Sequence, residues 1–382
     1  ALTMDLKQAL ARTLPELASP DTLARTDGGA DLETAGDGLL RETEARVRAE
    51  IRAAEAHLRD KPDRGHGTVC LPEMRRGHVG LCVATQIARL EHDAYSPVFG
   101  WRSSAQAWAM TQAQLAWYRA MEEAGEMVAI RDRAGLDAHV ARWEAADDAV
   151  AAKLPVGFIR SLEGADSLIT PAHLERAWAD GLRAIGPAHY GPGVYAQGTG
   201  TTGPFPERGR ELLRLAGELG LILDVTHLSD ECLWQVIGLY RGPVWASHHN
   251  ARALVPHQRQ LADDMFRALV ARDAVVCVCL DGWMMTPGWE RGKTTPASAG
   301  LTLARLADHI DHWCQLAGNA RHVGLGSDLD GAFGTEQTPA DLGSIADLAQ
   351  LPGILLGRGY ADADIAGIMG SNLRRFLASA LP

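Results

Sequence analysis

The chain of 382 residues is 46% hydrophobic and 22% charged, enough to bury a large core, which excludes a disordered or collagen-like polymer. Its formal net charge of -11 offers no electrostatic hold to nucleic acid or to an anionic membrane surface, so neither is expected as a partner. No run of ~18 apolar residues occurs, the opening A-L-T-M-D-L-K-Q-A-L lacks a signal-peptide pattern, and the six scattered cysteines contain no C-x-x-C pair; a cytoplasmic chain with reduced thiols is the expectation.

In chain order, a polar run over 23–31 reads as a weak first strand, and 41–59, rich in Glu, Arg and Ala with apolar residues three or four apart, reads as an exposed helix. Residues 103–124 form a second amphipathic helix, with Trp108, Met110, Leu115, Trp117 and Met121 read as core. Short apolar segments bounded by Gly, Pro or Asp then recur over 78–85, 154–163, 181–189, 221–227, 243–248, 274–280 and 322–328, most of them followed by helical periodicity. With 23–31 they make eight βα units, and a further run over 126–130 is treated as minor. Eight such units predict an α/β fold, a (β/α)₈ TIM barrel, as one domain over 1–382 with an N-terminal helical extension and insertion over about residues 1–66. No G-x-G-x-x-G follows the first strand, so a dinucleotide fold lacks its fingerprint.

Five segments finish in a residue able to bind a metal or move a proton: Glu163, His189, His227, His248 and Asp328. In a parallel barrel those ends share one rim, where the active sites of such enzymes assemble. Glu163, closing F-I-R-S-L-E-G, and His227 and His248, closing L-I-L-D-V-T-H and P-V-W-A-S-H, form a carboxylate and imidazole set suited to zinc. Asp224 and Ser229 are candidate partners behind these ligands, and His249 alternates to the opposite side. Asp328 lies in H-V-G-L-G-S-D-L-D-G, with Asp330 as its rival; a carboxylate there can take a proton from water and deliver it to a leaving amine. Arg259 is either a solvated surface residue or a bidentate clamp on a substrate carboxylate. The glycine-rich stretch Y-G-P-G-V-Y-A-Q-G-T-G-T-T-G-P reads as a flexible cover over the substrate, and D-G-W-M-M-T-P-G-W as another, with Trp283 and Trp289 lining the pocket or an oligomer contact.

On these residues, over 67–382, the sequence resembles the membrane (renal) dipeptidase family of zinc peptidases. The resemblance implies a bridging ligand at Glu163, imidazole ligands at His227 and His248, a catalytic Asp328, and substrate contacts from His189 and Arg259, with His189 donating to the reacting oxygen. It further implies a small dipeptide-like substrate and a homodimer. The family's first-strand H-x-D pair is altered: the best counterpart, D-G-G-A-D, puts Gly29 in the histidine position and Asp31 in the carboxylate position, and the other, M-D-L-K-Q-A, puts Lys7 there. One zinc would keep Glu163, His227 and His248, and a second would keep only Asp31 and the shared Glu163. Three readings stay open: a dipeptidase-like hydrolase with one well-held zinc, a non-catalytic binder of a peptide-like ligand or partner, and an enzyme repurposed for another reaction on a small metabolite.

Overall fold

The computed structural model describes residues 67–91 and 100–382. The segments 23–31 and 41–59, and with them Lys7, Gly29 and Asp31, lie outside the described residues. Contacts divide the chain into Ala1–Thr68 and Val69–Pro382, and the second unit alternates parallel strands with helices in the manner of a (β/α)₈ barrel.

Strand β3, Val156–Glu163, organises the sheet: its run of branched and aromatic residues is buried along its whole length apart from Glu163 at its end. Strand β1, Leu81–Gln86, pairs with it in parallel from Leu81↔Gly157 to Gln86↔Leu162. Amides of β3 alternate in direction. The Gly157 amide therefore serves the β1 side, donating to the Gly80 carbonyl, while on the opposite edge the Val156 amide donates to the Glu126 carbonyl and the Arg160 carbonyl accepts from the Arg183 amide. There β2, Met127–Ala129, covers the start of β3 and β4, Ala184–Gly186, covers its end. The order continues through β5, Ile222–Asp224, and β6, Val244–Trp245, while β7, Val276–Val278, pairs with β8, Val323–Leu325. The bridge Ala246↔Val276 and the His249 amide donating to the Cys277 carbonyl at 2.7 Å join β6 to β7.

Two expectations change. The run 126–130, treated as minor, supplies β2; three residues paired along one edge are too short to show a period in sequence. Helix α1, Ser104–Glu123, forms as expected, with the Ser103 hydroxyl accepting from the Gln106 amide, but Trp117 is 52% exposed and belongs to the solvent face, whereas Thr111 and Leu115 face inward.

Helix α2, Leu303–Ala317, shows how the outer layer fixes the rim. Leu306, Ile310 and Trp313 recur on one face, and Trp313 stacks on Phe266 of α3, Asp263–Val270, with ring centroids 4.4 Å apart. On the same buried face, His309 Nδ1 accepts from the Ala251 amide at 3.1 Å, tying α2 to the segment just after His248, and its Nε2 lies 3.4 Å from the Met285 carbonyl. An acceptor nitrogen requires neutral imidazole, and burial pushes the His309 pKa from 6.5 down to about 4.

Because that pKa is depressed in the folded state, the histidine's contribution is complete above pH 6.5 and is lost as pH falls toward 4, where the unfolded chain takes up the proton first. Denaturant titrations of wild type and His309→Leu should show the wild type losing on the order of 2–3 kcal/mol more over that window. Equal pH slopes would contradict this role.

Candidate metal centre

Four of the five predicted residues stand at the same step past their strands. His189, His227, His248 and Asp328 each come three residues after the end of β4, β5, β6 and β8, and Glu163 is itself the last residue of β3. The C-terminal ends of parallel strands therefore gather all five on one rim. Local backbone helps. Gly164, at φ +80°, a backbone conformation that favours glycine, turns the chain directly after Glu163 and packs against His189. Gly326 lies where any Cβ would run into the Ser247 carbonyl, so the G-S-D stretch can approach β6 only as glycine. His227 and Asp328 themselves adopt left-handed backbone, φ 69° and 56°, a conformation costly to non-glycine residues and concentrated at functional sites.

Glu163 Oε1 lies 3.2 Å from His227 Nε2 and 3.3 Å from His248 Nε2, and the two Nε2 atoms are 3.3 Å apart. These three residues form a cluster able to hold a metal ion. A tetrahedral zinc with ligands at ~2.0–2.2 Å sets its donors about this far apart and leaves a fourth position open. The far side of each imidazole agrees: Thr199 Oγ1 is 2.9 Å from His227 Nδ1, and Ser247 Oγ is 2.8 Å from His248 Nδ1. A hydroxyl accepting the Nδ1 proton leaves the Nε2 lone pair aimed at the cluster.

Electrostatics follow from burial. Burial pushes the Glu163 carboxyl up, but the contacts to His227 and His248, with the charge of His248 and His189, together hold it well below the usual carboxylate range. Burial, aided by the Arg259 charge, drives His227 well below the ordinary imidazole value, whereas for His248 the burial penalty is outweighed by Asp328 and Glu163, so its pKa rises. His189, 3.9 Å from Glu163, is pushed down to about 4 by burial and is neutral near pH 7. Burial raises the Asp328 carboxyl; His248 and Arg259 offset part of that rise, and the Cys279 thiol donates to its Oδ2 at 3.7 Å.

Arg259 is 2% exposed, and its Nη2 donates to the His248 carbonyl at 3.1 Å, while Nε and Nη1 have no hydrogen-bond partner. It is therefore not the solvated surface residue that was one of its two readings. Asp330 is exposed and accepts from the Val69 amide. His249 is buried outside the three-donor cluster.

The partners behind the ligands are not those expected. Asp224 touches neither imidazole; its Oδ1 accepts from the Thr226 and Ser247 amides, both at 3.0 Å, and so fixes the backbone leading to each ligand. Ser229 caps the helix Asp230–Leu239 and donates to the Gly203 carbonyl. Thr199 and Ser247 hold the rings instead. The glycine-rich stretch is accordingly packed rather than a loose cover, with Tyr195, Ala196 and Thr199 buried and bridges Tyr190↔Thr199 and Pro192↔Gln197 folding it on itself. In the second stretch, Trp283 meets His257 edge to face at 5.0 Å, and His257 Nδ1 accepts from the Arg259 amide.

With this geometry in view, the comparisons with known proteins agree. The sequence model of the family described as membrane dipeptidase (peptidase family M19) matches residues 41–380. A dipeptidase of Aspergillus oryzae, aclJ, is 34% identical over 175 residues, 46% of this chain and 39% of the relative; the chain spans about half the length of most of the curated relatives it matches. Among solved structures, the dipeptidase AC, a metallopeptidase of family M19, superposes with a TM-score of 0.67 at 22% identity, covering 83% of this chain and 90% of its own. A metallopeptidase of Rhodobacter sphaeroides, solved with a phosphinate mimic of L-Ala-D-Ala, also gives 0.67 at 22% identity, covering 85% and 95%. These likenesses establish the barrel fold.

If Thr199 and Ser247 fix the ligand tautomers, Thr199→Val and Ser247→Ala should each lower metal affinity about 10–100-fold with the three donors intact. Competition against a chromogenic chelator measures this; unchanged affinity in both would remove the hydroxyls from the account.

Proposed function

The chain belongs to the membrane dipeptidase family, peptidase family M19, and on that premise we propose that it is a zinc-dependent hydrolase cleaving the amide of a dipeptide or similar small carboxylate-bearing substrate. The observation that carries the reading is the near-equilateral triangle of donors from Glu163, His227 and His248, with sides of 3.2–3.3 Å. We take one ion to be well held. A second position would draw on the shared Glu163 and on Asp31 in D-G-G-A-D, where Gly29 stands in the histidine position, or on M-D-L-K-Q-A, where Lys7 does.

A zinc in this position supplies Lewis acidity, lowering the pKa of a water toward ~7 and polarising the scissile carbonyl. The chain's own residues do the rest. Asp328 accepts the proton of the attacking water and returns it to the departing amine nitrogen; its raised pKa, from burial, keeps the protonated form accessible between the two transfers. His189, neutral near pH 7, donates a hydrogen bond to the oxygen on which negative charge develops. Arg259, with Nε and Nη1 unpartnered, offers charge-assisted donors to the substrate's terminal carboxylate, so a buried cation finds its counter-charge when substrate binds. The dipeptide mimic in the Rhodobacter protein supports substrates with a D-residue on the C-terminal side.

A second reading rests on Gly29: loss of one metal position would suit a non-catalytic binder of a carboxylate-bearing ligand. Metal content and turnover separate the two.

With zinc supplied, the full-length protein should hold about one ion per chain and hydrolyse members of an L-Xaa-D-Yaa panel. Asp328→Asn should lower kcat by about 10²–10⁴-fold. Arg259→Met should act mainly on KM for substrates with a free terminal carboxylate, whereas an inert protein that still binds such peptides would decide for the binder.

A further inference from the structure

Arg259 is not the sole buried guanidinium on this rim. The register Gln86↔Leu162 sets Ile87 level with Glu163, so Arg89 stands two residues higher, on the side where the strands end. Its backbone is fixed. Gln114 of α1 donates to the Ile87 carbonyl at 2.7 Å and accepts from the Ile87 amide at 2.9 Å, and the Arg89 carbonyl accepts from the Trp101 amide at 2.8 Å.

The side chain is 5% exposed, and its Nε and Nη1 have no hydrogen-bond partner. Among the described residues no carboxylate lies within ion-pair distance of it. Elsewhere Arg183 donates to the carbonyls of Arg131, Trp178 and Leu182 and Arg252 grips both oxygens of Asp230, while Arg160, buried within the sheet with Nε and Nη1 also open, still donates from Nη2 to the Ala177 carbonyl. A buried cation with open donors is costly unless a further partner completes it.

The surroundings locate that something. The groups acting on Arg89 are Asp166, in the single turn Ala165–Ser167 directly after Glu163, and Tyr190, directly after His189. Asp166 Oδ1 accepts from the Val194 amide at 2.8 Å. The Tyr190 ring is 5.1 Å from that of His227 and 5.0 Å from that of His189, and the register beyond Glu163 puts Arg89 on the same strand-end side as these rings. His189 also lies within electrostatic reach of both Arg89 and Arg259.

We propose that Arg89 is a second anion subsite, so that the preferred substrate carries two carboxylates: the terminal one held by Arg259, and a second, on the side chain of its N-terminal residue, held by Arg89. The assignment rests on the dipeptide reading of the site. A guanidinium holds a carboxylate through charge-assisted hydrogen bonds, and Nε and Nη1, on different edges of the group, each leave such a donor open here.

The test needs no turnover. In the full-length Asp328→Asn protein loaded with zinc, calorimetry compares L-Glu-D-Ala with L-Gln-D-Ala, which differ in the side-chain charge and hardly in size. L-Glu-D-Ala should bind about tenfold or more tightly, as expected for a charge-assisted contact. Adding Arg89→Met should abolish that preference and leave L-Gln-D-Ala within about twofold of its former Kd, while Arg89→Lys should keep part of it. Equal binding of the two peptides, or equal weakening of both by Arg89→Met, would overturn the subsite and leave the dipeptide reading standing; failure of both peptides to bind would overturn the two together. Should Arg89→Met not fold, the comparison of the two peptides in the parent still decides.

Discussion

Two imidazole nitrogens and one carboxylate oxygen held 3.2–3.3 Å apart at the end of a buried sheet are the constraint around which the rest of the molecule is arranged. Left to themselves these groups repel or demand shared protons, and a cation satisfies all three together. The fold brings them together through a common offset: each histidine follows its strand by three residues, and the glutamate closes the strand in the middle of the sheet. Backbone devices then hold the offset, through Asp224 clasping two amides, Gly164 and Gly326 admitting close approach, and α2 reaching the chain beyond His248 through His309.

Around the donors the charges are graded rather than paired. Glu163 is held ionised, His189 neutral, and Asp328 at a raised pKa, each for a nameable cause: the adjoining imidazoles, burial, and burial again. Such separation of neighbouring titratable groups is how one cavity supplies both a proton acceptor and a neutral hydrogen-bond donor. Arg89 and Arg259 add positive charge with spare donors, which biases the cavity toward anionic ligands. On the proposed reading, a metal-holding triangle with two guanidiniums that have open donors suits a small acid bearing a cleavable bond.

Much of this was legible in the sequence because the relevant signals are long or repeated. Eight segments bounded by turn residues predict the barrel, seven of them among the described residues, and polar residues at the ends of five predict the rim. The unseen parts have physical reasons. Strand β2 is too short to show a period, and Trp117 shares a helix with buried neighbours but points the other way. Thr199 is 28 residues from the histidine it touches, in a stretch whose glycines suggested looseness when they permit packing. Ser247 was open to discovery as the hydroxyl directly before a ligand, whereas Asp224 drew attention by its charge although it serves backbone amides. Arg89 gave no signal, since burial without a partner is visible only in three dimensions.

The most direct test of the central claim is an anomalous-scattering map from crystals of the full-length protein grown with zinc. The account predicts a peak bonded to Glu163, His227 and His248 at about 2.0–2.2 Å, with one coordination position facing the cavity. A folded protein showing no peak there, or a peak bound by other residues while these three donors stand apart, would contradict it.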